Sequence, residues 1–169
     1  SLLYVLMYTI TGNNMNDKNV ILHIKDVGYR AGDNTILQHV DFCLSPGEFK
    51  LITGPSGCGK STLLRQLKTV LAPAGNTSGQ ILYRGVSLKD TDHRTQSQEI
   101  GFVMQNPDNQ IVTDKVWHEL AFGLESLGCD NATIRLRVAE MASYFGIQQW
   151  FYKNVAELSG GQKQLLNLA

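Results

Sequence analysis

The feature that most constrains the fold is the nonapeptide GPSGCGKST, residues 54–62. It fits the pattern G-x-x-x-x-G-K-[ST] of a phosphate-binding loop, or P-loop. Its glycines let the backbone wrap an anion without Cβ clashes, with successive N–H groups pointing inward. The apolar run 49–53 precedes the loop, and apolar residues at helical spacing follow it. The sequence therefore predicts an α/β fold in which this loop joins a strand to a helix.

The residue types of the predicted loop suit a nucleoside triphosphate with Mg²⁺. A helix starting near Lys60 would add the positive end of its dipole, and the lysine would reach the β- and γ-phosphates. The Ser61 hydroxyl would ligate Mg²⁺. We expect the phosphates to be bound by a continuous segment, namely Gly54, Pro55, Ser56, Gly57, Cys58, Gly59, Lys60, Ser61 and Thr62.

Composition narrows the class of protein. The chain of 169 residues has the length of one ordinary domain, with 43% hydrophobic and 18% charged residues. Fifteen basic residues balance fifteen acidic ones, which disfavours nucleic acid or an anionic membrane as a partner. The cysteines, Cys43, Cys58 and Cys129, show no CxxC spacing, so a reduced intracellular setting is expected.

Hydrophobic patterning predicts the elements around the loop. Strands are predicted at 20–29 with a break near Asp26, and at 40–44, 49–53, 81–83 and 100–104. Helical spacing predicts a helix over 63–71 that Pro73 ends, and two further helices over 116–124 and 134–145. Strands thus dominate the first half and helices the second.

This order divides the chain into four segments. Residues 1–14 are apolar but too short to span a bilayer, and we interpret them as a dispensable, poorly ordered leader or upstream segment. Residues 15–105 form an antiparallel β portion with the P-loop core, and residues 106–158 form a helical subdomain. Residues 159–169 are expected to return to the core.

Two further motifs, in the right order after the P-loop, give a resemblance to a known family. Gln105 lies in FVMQNPDNQ, and LSGGQ occupies residues 158–162. From residue 20 to 169 the sequence resembles the ATP-binding cassette (ABC) ATPases, whose signature motif is LSGGQ. The string QNPDNQIVTDKVWHELAFGLESLG is similar to the energy-coupling factor branch, the ATPase subunits of vitamin or transition-metal importers.

The resemblance implies roles for residues outside the P-loop. Gln105 would complete the Mg²⁺ shell and position the attacking water, unless it is simply a polar loop residue. Tyr29 would stack on adenine, unless it is a core tyrosine at a strand end. Ser159 is a good helix N-cap, and Gly160 and Gly161 leave the first N–H groups of the last helix open. By resemblance, a second set of residues binds the γ-phosphate of ATP held by a facing subunit, namely Ser159, Gly160, Gly161 and Gln162.

The implied assembly is a head-to-tail dimer with ATP and Mg²⁺ between the two ATPase domains. Its partner would be a second ATPase subunit, identical or related. A transmembrane coupling subunit and a substrate-binding membrane subunit would complete an importer for a micronutrient. Such a protein lies at the cytoplasmic face of the membrane as a peripheral subunit, without nucleic acid.

The family pattern is incomplete in this sequence. In the family, the acidic strand with the catalytic glutamate, the D-loop and the switch histidine would follow residue 169. The predicted fold is therefore C-terminally incomplete, and we favour a truncated sequence over a truncated functional protein. We predict that the 169 residues alone bind ATP but hydrolyse it at background rate. The alternatives are a soluble non-transport ABC ATPase, which should show a basic surface or an inserted arm, and a non-catalytic nucleotide-binding fragment.

Overall fold

The computed structural model describes residues 20–169, so the predicted leader 1–14 lies outside the described residues. The described residues divide into two compact units, a first unit that ends at residue 102 and a second unit, 103–169. The first unit contains the β portion and the P-loop, and the second is helical. The boundary falls three residues before the expected one at 105. The segment 159–169, which we expected to return to the first unit, belongs to the second.

The first unit is built on an antiparallel sheet. Its strands are β1 (Leu22–Ala31), β2 (Asn34–Leu44), β3 (Asn76–Tyr83) and β4 (Val86–Ser87), in the order β2-β1-β3-β4. These strands confirm the predictions at 20–29, 40–44 and 81–83. The predicted break is present as well, because Asp26 has φ 47° and the β1–β2 register shifts between Ile24 and Val27.

Two short helices belong to this unit, α1 (Lys60–Gln66) and α2 (His93–Glu99), with a 3₁₀ turn at Thr69–Leu71. The predicted helix 63–71 therefore stops early. The backbone N–H of Thr69 donates to Oε1 of Gln96 at 3.1 Å, so it is not available to continue the helical ladder. Buried side chains of α1, β1 and β2 form one core, namely Leu22, Ile24, Val27, Tyr29, Leu37, Leu63, Leu64 and Leu67.

Two predicted strands are wrong. Residues 49–53 are not a strand, and Phe49 and Leu51 are 62% and 53% exposed. Residues 100–104 follow α2 and form neither a strand nor a helix. A strand requires hydrogen-bonding partners at its sides. Within residues 20–169, the named strands of the sheet are β1 to β4, and neither segment pairs with them.

The second unit consists of α3 (Val116–Ser126), α4 (Asn131–Tyr144) and α5 (Gly160–Leu168). These confirm the helices predicted over 116–124 and 134–145. Three 3₁₀ turns join or precede them, at Pro107–Asn109, Gln148–Trp150 and Val155–Glu157. One core is shared by the ends of these elements, namely Val116, Ala142, Ile147, Val155, Leu158 and Leu166. Over residues 20–169, no helix is both long enough and apolar enough to cross a bilayer.

Candidate nucleotide-binding site

The P-loop adopts a conformation that only glycines take readily. Gly54, Gly57 and Gly59 have φ values of 152°, 82° and 93°, a region that L side chains rarely adopt. At Gly59 there is also no room for a side chain. A Cβ there would lie 2.8 Å from Cδ2 of Leu37 and 3.1 Å from the carbonyl oxygen of Ile36. The packing of β2 thus fixes the end of the loop where α1 begins.

Lys60, the first residue of α1, turns its ammonium group back over this loop. Its Nζ donates to the carbonyl oxygens of Gly54 at 2.8 Å and of Pro55 at 2.6 Å. It also lies 3.6 Å from Sγ of Cys58. Neutral carbonyls are weaker acceptors for a cation than an anion is. The lysine is therefore held where an entering phosphate would compete for it.

The start of α1 fits an anionic ligand. Gly59, its N-cap, has no side-chain hydrogen bond to the helix, so no cap claims the first N–H groups, which carry the positive end of the helix dipole. The loop residues 54–58 are exposed, and Ser61 and Thr62 are partly exposed. These groups suit a polyphosphate.

A Mg²⁺ ion fits only together with that nucleotide. The described part of the chain contains no group of three or more His, Cys, Asp or Glu residues able to hold a metal. Mg²⁺ commonly binds through few protein ligands, retained waters and substrate phosphates. Ser61 is the residue of the first unit that would contribute a hydroxyl ligand to such a shell.

The signature segment 158–162 forms a second helix start with a different design. The backbone N–H of Gln162 donates to Oγ of Ser159 at 3.3 Å, and that of Ser159 donates to Oε1 of Gln162 at 2.8 Å. This reciprocal capping box confirms the predicted N-cap. Gly160 and Gly161 are exposed, and a Cβ at either would meet no atom within 4 Å. A side chain at either position would therefore be tolerated sterically.

The remaining predicted site residues fall in different places. Gln105 is exposed in the second unit, two positions before the 3₁₀ turn at Pro107–Asn109. Ser159, Gly160, Gly161 and Gln162 belong to that unit too, whereas the P-loop belongs to the first.

Tyr29 does not present a ring face for adenine. Its side chain is only 2% exposed within the first core, and its hydroxyl donates to the carbonyl oxygen of Ala74 at 2.7 Å. Stacking on a base would need an exposed ring. The structure thus favours the alternative interpretation, a core tyrosine near a strand end.

Sequence reasoning missed the support behind the P-loop helix. Gln96 on α2 is 2% exposed, and its Oε1 accepts from both the backbone N–H and the hydroxyl of Thr69. Its Nε2 donates to the carbonyl oxygens of Leu88 and Thr91. No motif marks this glutamine, because its partners are distant backbone groups. It secures the chain where α1 ends.

Comparison with known proteins identifies the family of the chain. The family model described as ABC transporter matches residues 37–169. A Bacillus cereus protein named as an ABC transporter ATP-binding protein is 45% identical over 141 residues, which are 83% of this chain and 26% of that protein. The "probable iron export ATP-binding protein FetA" of Escherichia coli is 37% identical over 161 residues, 91% of this chain and 66% of that protein.

A solved structure has the same fold. It is titled as cbiO1 from Clostridium perfringens, part of the ABC transporter complex cbiONQ. The two share a TM-score of 0.76 and 27% identity over 89% of this chain and 60% of that one. The chain spans about a quarter of the length of the first curated relatives it matches. It belongs to the ABC transporter ATP-binding family, as its P-loop and signature motif predicted.

Proposed function

We propose that this chain binds Mg²⁺-ATP as part of the ATPase of an ABC transporter. The observation that carries the proposal is the P-loop, where positive-φ glycines and the ammonium of Lys60 converge on the uncapped start of α1. Transport-coupled ATP hydrolysis would be the activity of the whole protein, to which this chain contributes binding groups.

In this proposal the residues of the P-loop act by exchange of hydrogen bonds. Lys60 releases the carbonyls of Gly54 and Pro55 and donates to the β- and γ-phosphates instead, while the loop N–H groups and the start of α1 bind the remaining oxygens. Ser61 would coordinate Mg²⁺ through its hydroxyl oxygen, and the ion would offset part of the phosphate charge. Tyr29 is left out of the proposal, because its side chain is buried.

The signature residues would act on a nucleotide held by another ATPase domain. Ser159 occupies its own helix cap, yet Gly160 and Gly161 face open space. The second helix start also lacks a lysine placed like Lys60. Such a site suits a phosphate already bound elsewhere, as in a head-to-tail dimer. Gln105 would orient water and complete the Mg²⁺ shell on its own chain's side.

The partner domain would be a related or identical ATPase domain. It lies on a second chain or elsewhere in the same polypeptide, since the first curated relatives are several times longer than the matched segment. A membrane partner would carry the solute, and the ATPase would sit at the cytoplasmic face. We propose uptake of a micronutrient, supported by the cbiO1 structure and the string that follows Gln105.

Export is a second candidate, because the Escherichia coli relative FetA is named for iron export. Import and export can be distinguished by the direction of solute transport in membrane vesicles. In inside-out membrane vesicles containing the whole transporter, external ATP would drive solute out of the vesicle if the protein is an importer. ATP-driven accumulation inside such vesicles would instead establish export.

The shared ATP site is tested by complementation between two defective forms of the whole protein. Lys60→Ala removes the P-loop cation, and Ser159→Arg places a bulky cation at the signature. Each variant alone should fail to form an ATP-dependent dimer. Mixed together, they should form one intact site from the P-loop of one and the signature of the other.

Light scattering with and without Mg²⁺-ATP measures the molecular mass, and therefore dimer formation, of each variant and of the mixture. Recovery of the dimer only in the mixture supports sites shared between domains. If the mixture behaves like the separate variants while wild type dimerises, the in-trans arrangement is wrong. If wild type does not bind ATP at all, the proposed function itself fails. Where two ATPase domains share one polypeptide, the substitutions are placed in opposite domains.

A further inference from the structure

Two side chains of α5 contact the 3₁₀ turn at Pro107–Asn109, which follows Gln105. Lys163 Nζ lies 2.7 Å from Oδ1 of Asp108, although the two residues are 55 positions apart. One helical turn further on, Asn167 Nδ2 donates to the carbonyl oxygen of Pro107 at 3.1 Å. We call these two contacts the α5 clasp. Both lie within the second unit.

The cation of the clasp is better shielded than the cation of the ion pair on α4. The Lys163 side chain is 18% exposed and Pro107 is buried, although the Asp108 side chain is 63% exposed. By contrast, Arg137 and Glu140 on α4 form a pair at 3.1 Å whose side chains are 53% and 45% exposed. A fully solvated pair contributes little, whereas shielding strengthens an ion pair and restricts its geometry.

The turn itself transmits displacement to Gln105. Asn106 Oδ1 accepts from the backbone N–H of Asp108 at 3.1 Å, and the backbone N–H of Met104 donates to Oε1 of Gln110 at 2.8 Å. Gln105 lies between these two fixed neighbours. A shift of the turn at Pro107–Asn109 therefore carries the backbone of Gln105 with it.

The other end of the clasp directly follows the signature, one helical turn after Ser159. The backbone N–H of Lys163 donates to the carbonyl oxygen of Ser159 at 2.9 Å. Leu166 is buried on the same helix among the second unit's core side chains. Movement of the helix start on a phosphate would thus move Lys163, and Lys163 would move Asp108.

We propose that Asp108 and Lys163 are positioning residues that tie the signature of this domain to its Gln105. The inference rests on the proposed function. In a head-to-tail dimer, the signature of one domain serves one ATP site, while Gln105 of the same domain serves the other. The α5 clasp therefore couples the two ATP sites through a single domain, so that closure of one places Gln105 in the other.

The test uses the whole protein with its transport partner. Lys163→Met and Asp108→Asn remove the ion pair, and the double exchange Asp108→Lys with Lys163→Asp restores opposite charges. Arg137→Met is the matched control, since it removes an exposed ion pair of the same unit. ATP affinity, turnover, the Hill coefficient for ATP and thermal stability are measured for each.

The single variants should keep ATP affinity within about twofold, while maximal turnover falls roughly tenfold and the Hill coefficient drops toward about 1, as expected when a coupling free energy is lost. The double exchange should recover both quantities, and Arg137→Met should change neither. Hydrogen exchange of 104–110 should also speed up in Lys163→Met.

Unchanged turnover and Hill coefficient in folded Lys163→Met and Asp108→Asn proteins would overturn the inference. So would a double exchange that regains thermal stability without regaining cooperativity, because the pair would then be merely structural. Loss of ATP binding by the wild type would count against the proposed function instead.

Discussion

The two glycine-rich helix starts of this chain look alike in sequence but are built in opposite ways. At α1, the glycine N-cap Gly59 has φ 93° and is enclosed by Ile36 and Leu37. At α5, Ser159 forms a capping box, and the glycines that follow meet no neighbour. The start of α1 is constrained by neighbouring β2 residues, whereas a Cβ at Gly160 or Gly161 would contact no described atom.

The difference indicates which interactions each start can make alone. The P-loop brings its own cation, since Lys60 already lies against the carbonyls of Gly54 and Pro55. The signature brings only backbone N–H groups and a hydroxyl that is occupied by its own helix. A site of this second kind is weak for a free anion and useful for one that is already held.

The largest expected effect concerns the cation. Lys60→Ala should weaken Mg²⁺-ATP binding by about 10- to 100-fold, because hydrogen bonds from a charged group contribute about 1.5–3 kcal/mol. Titration of a fluorescent ATP analogue measures it. Arg65→Ala, an exposed cation on the same helix, serves as control and should leave affinity nearly unchanged. Similar losses in both variants would show that only net charge matters.

Alanine substitution at Gly59 and at Gly160 should show which of the two positions is constrained by packing within the domain. Gly59→Ala should lower the free energy of unfolding by about 2 kcal/mol, since it forces a strained φ and a close contact with Leu37. Gly160→Ala should be neutral or stabilising by up to about 1 kcal/mol. Urea unfolding measures the change in free energy of unfolding for both variants. Equal destabilisation would show that the two helix starts are equally constrained.

The cap of α5 should have a smaller effect. Ser159→Ala removes the acceptor for the Gln162 backbone N–H, which should cost about 1 kcal/mol of stability. Ser159→Asn keeps an acceptor and should retain most of it. Ser56→Ala, at an exposed P-loop position, is the control. Unfolding midpoints that do not distinguish Ser159→Ala from Ser56→Ala would mean that the capping box is not holding the helix.

The smallest effect is a change in labelling rate. Cys58 is exposed and its Sγ lies 3.6 Å from Nζ of Lys60, so bound ATP should slow its alkylation by iodoacetamide. Prior alkylation should in turn block nucleotide binding. Cys43, exposed on β2, should be labelled at the same rate with or without ATP. Mass spectrometry of the two peptides gives both rates, and an unprotected Cys58 would place the nucleotide away from this loop.

Local chemistry was predictable from the sequence. Features that depend only on residues close in sequence were predicted correctly. These are the glycine spacing of the loop with its lysine and serine, the helices over 116–124 and 134–145, and the cap at Ser159. The strand at 49–53 was not predictable in the same way. An apolar run becomes a strand only where other strands pair with it, and β1 to β4 do not.

Tyr29 shows how irregular strand pairing changes which side chains face the core. With strict alternation along β1, Leu22 and Ile24 would face the core and Tyr29 would face away. The irregularity at Asp26 changes the parity, so that Val27 and Tyr29 join Leu22 and Ile24 in the core. The sequence predicted a break near Asp26. A predicted break alone does not show which of the following side chains face the core.

The resting position of Lys60 has a consequence for selectivity. Because the loop's own carbonyls already satisfy the ammonium group, any ligand must displace an internal competitor before it gains that contact. A ligand with a single charge replaces these two contacts with one charged acceptor group, whereas adjacent phosphates offer several charged oxygens at once. We therefore expect the loop to favour ligands with several adjacent charged oxygens over abundant small anions such as chloride.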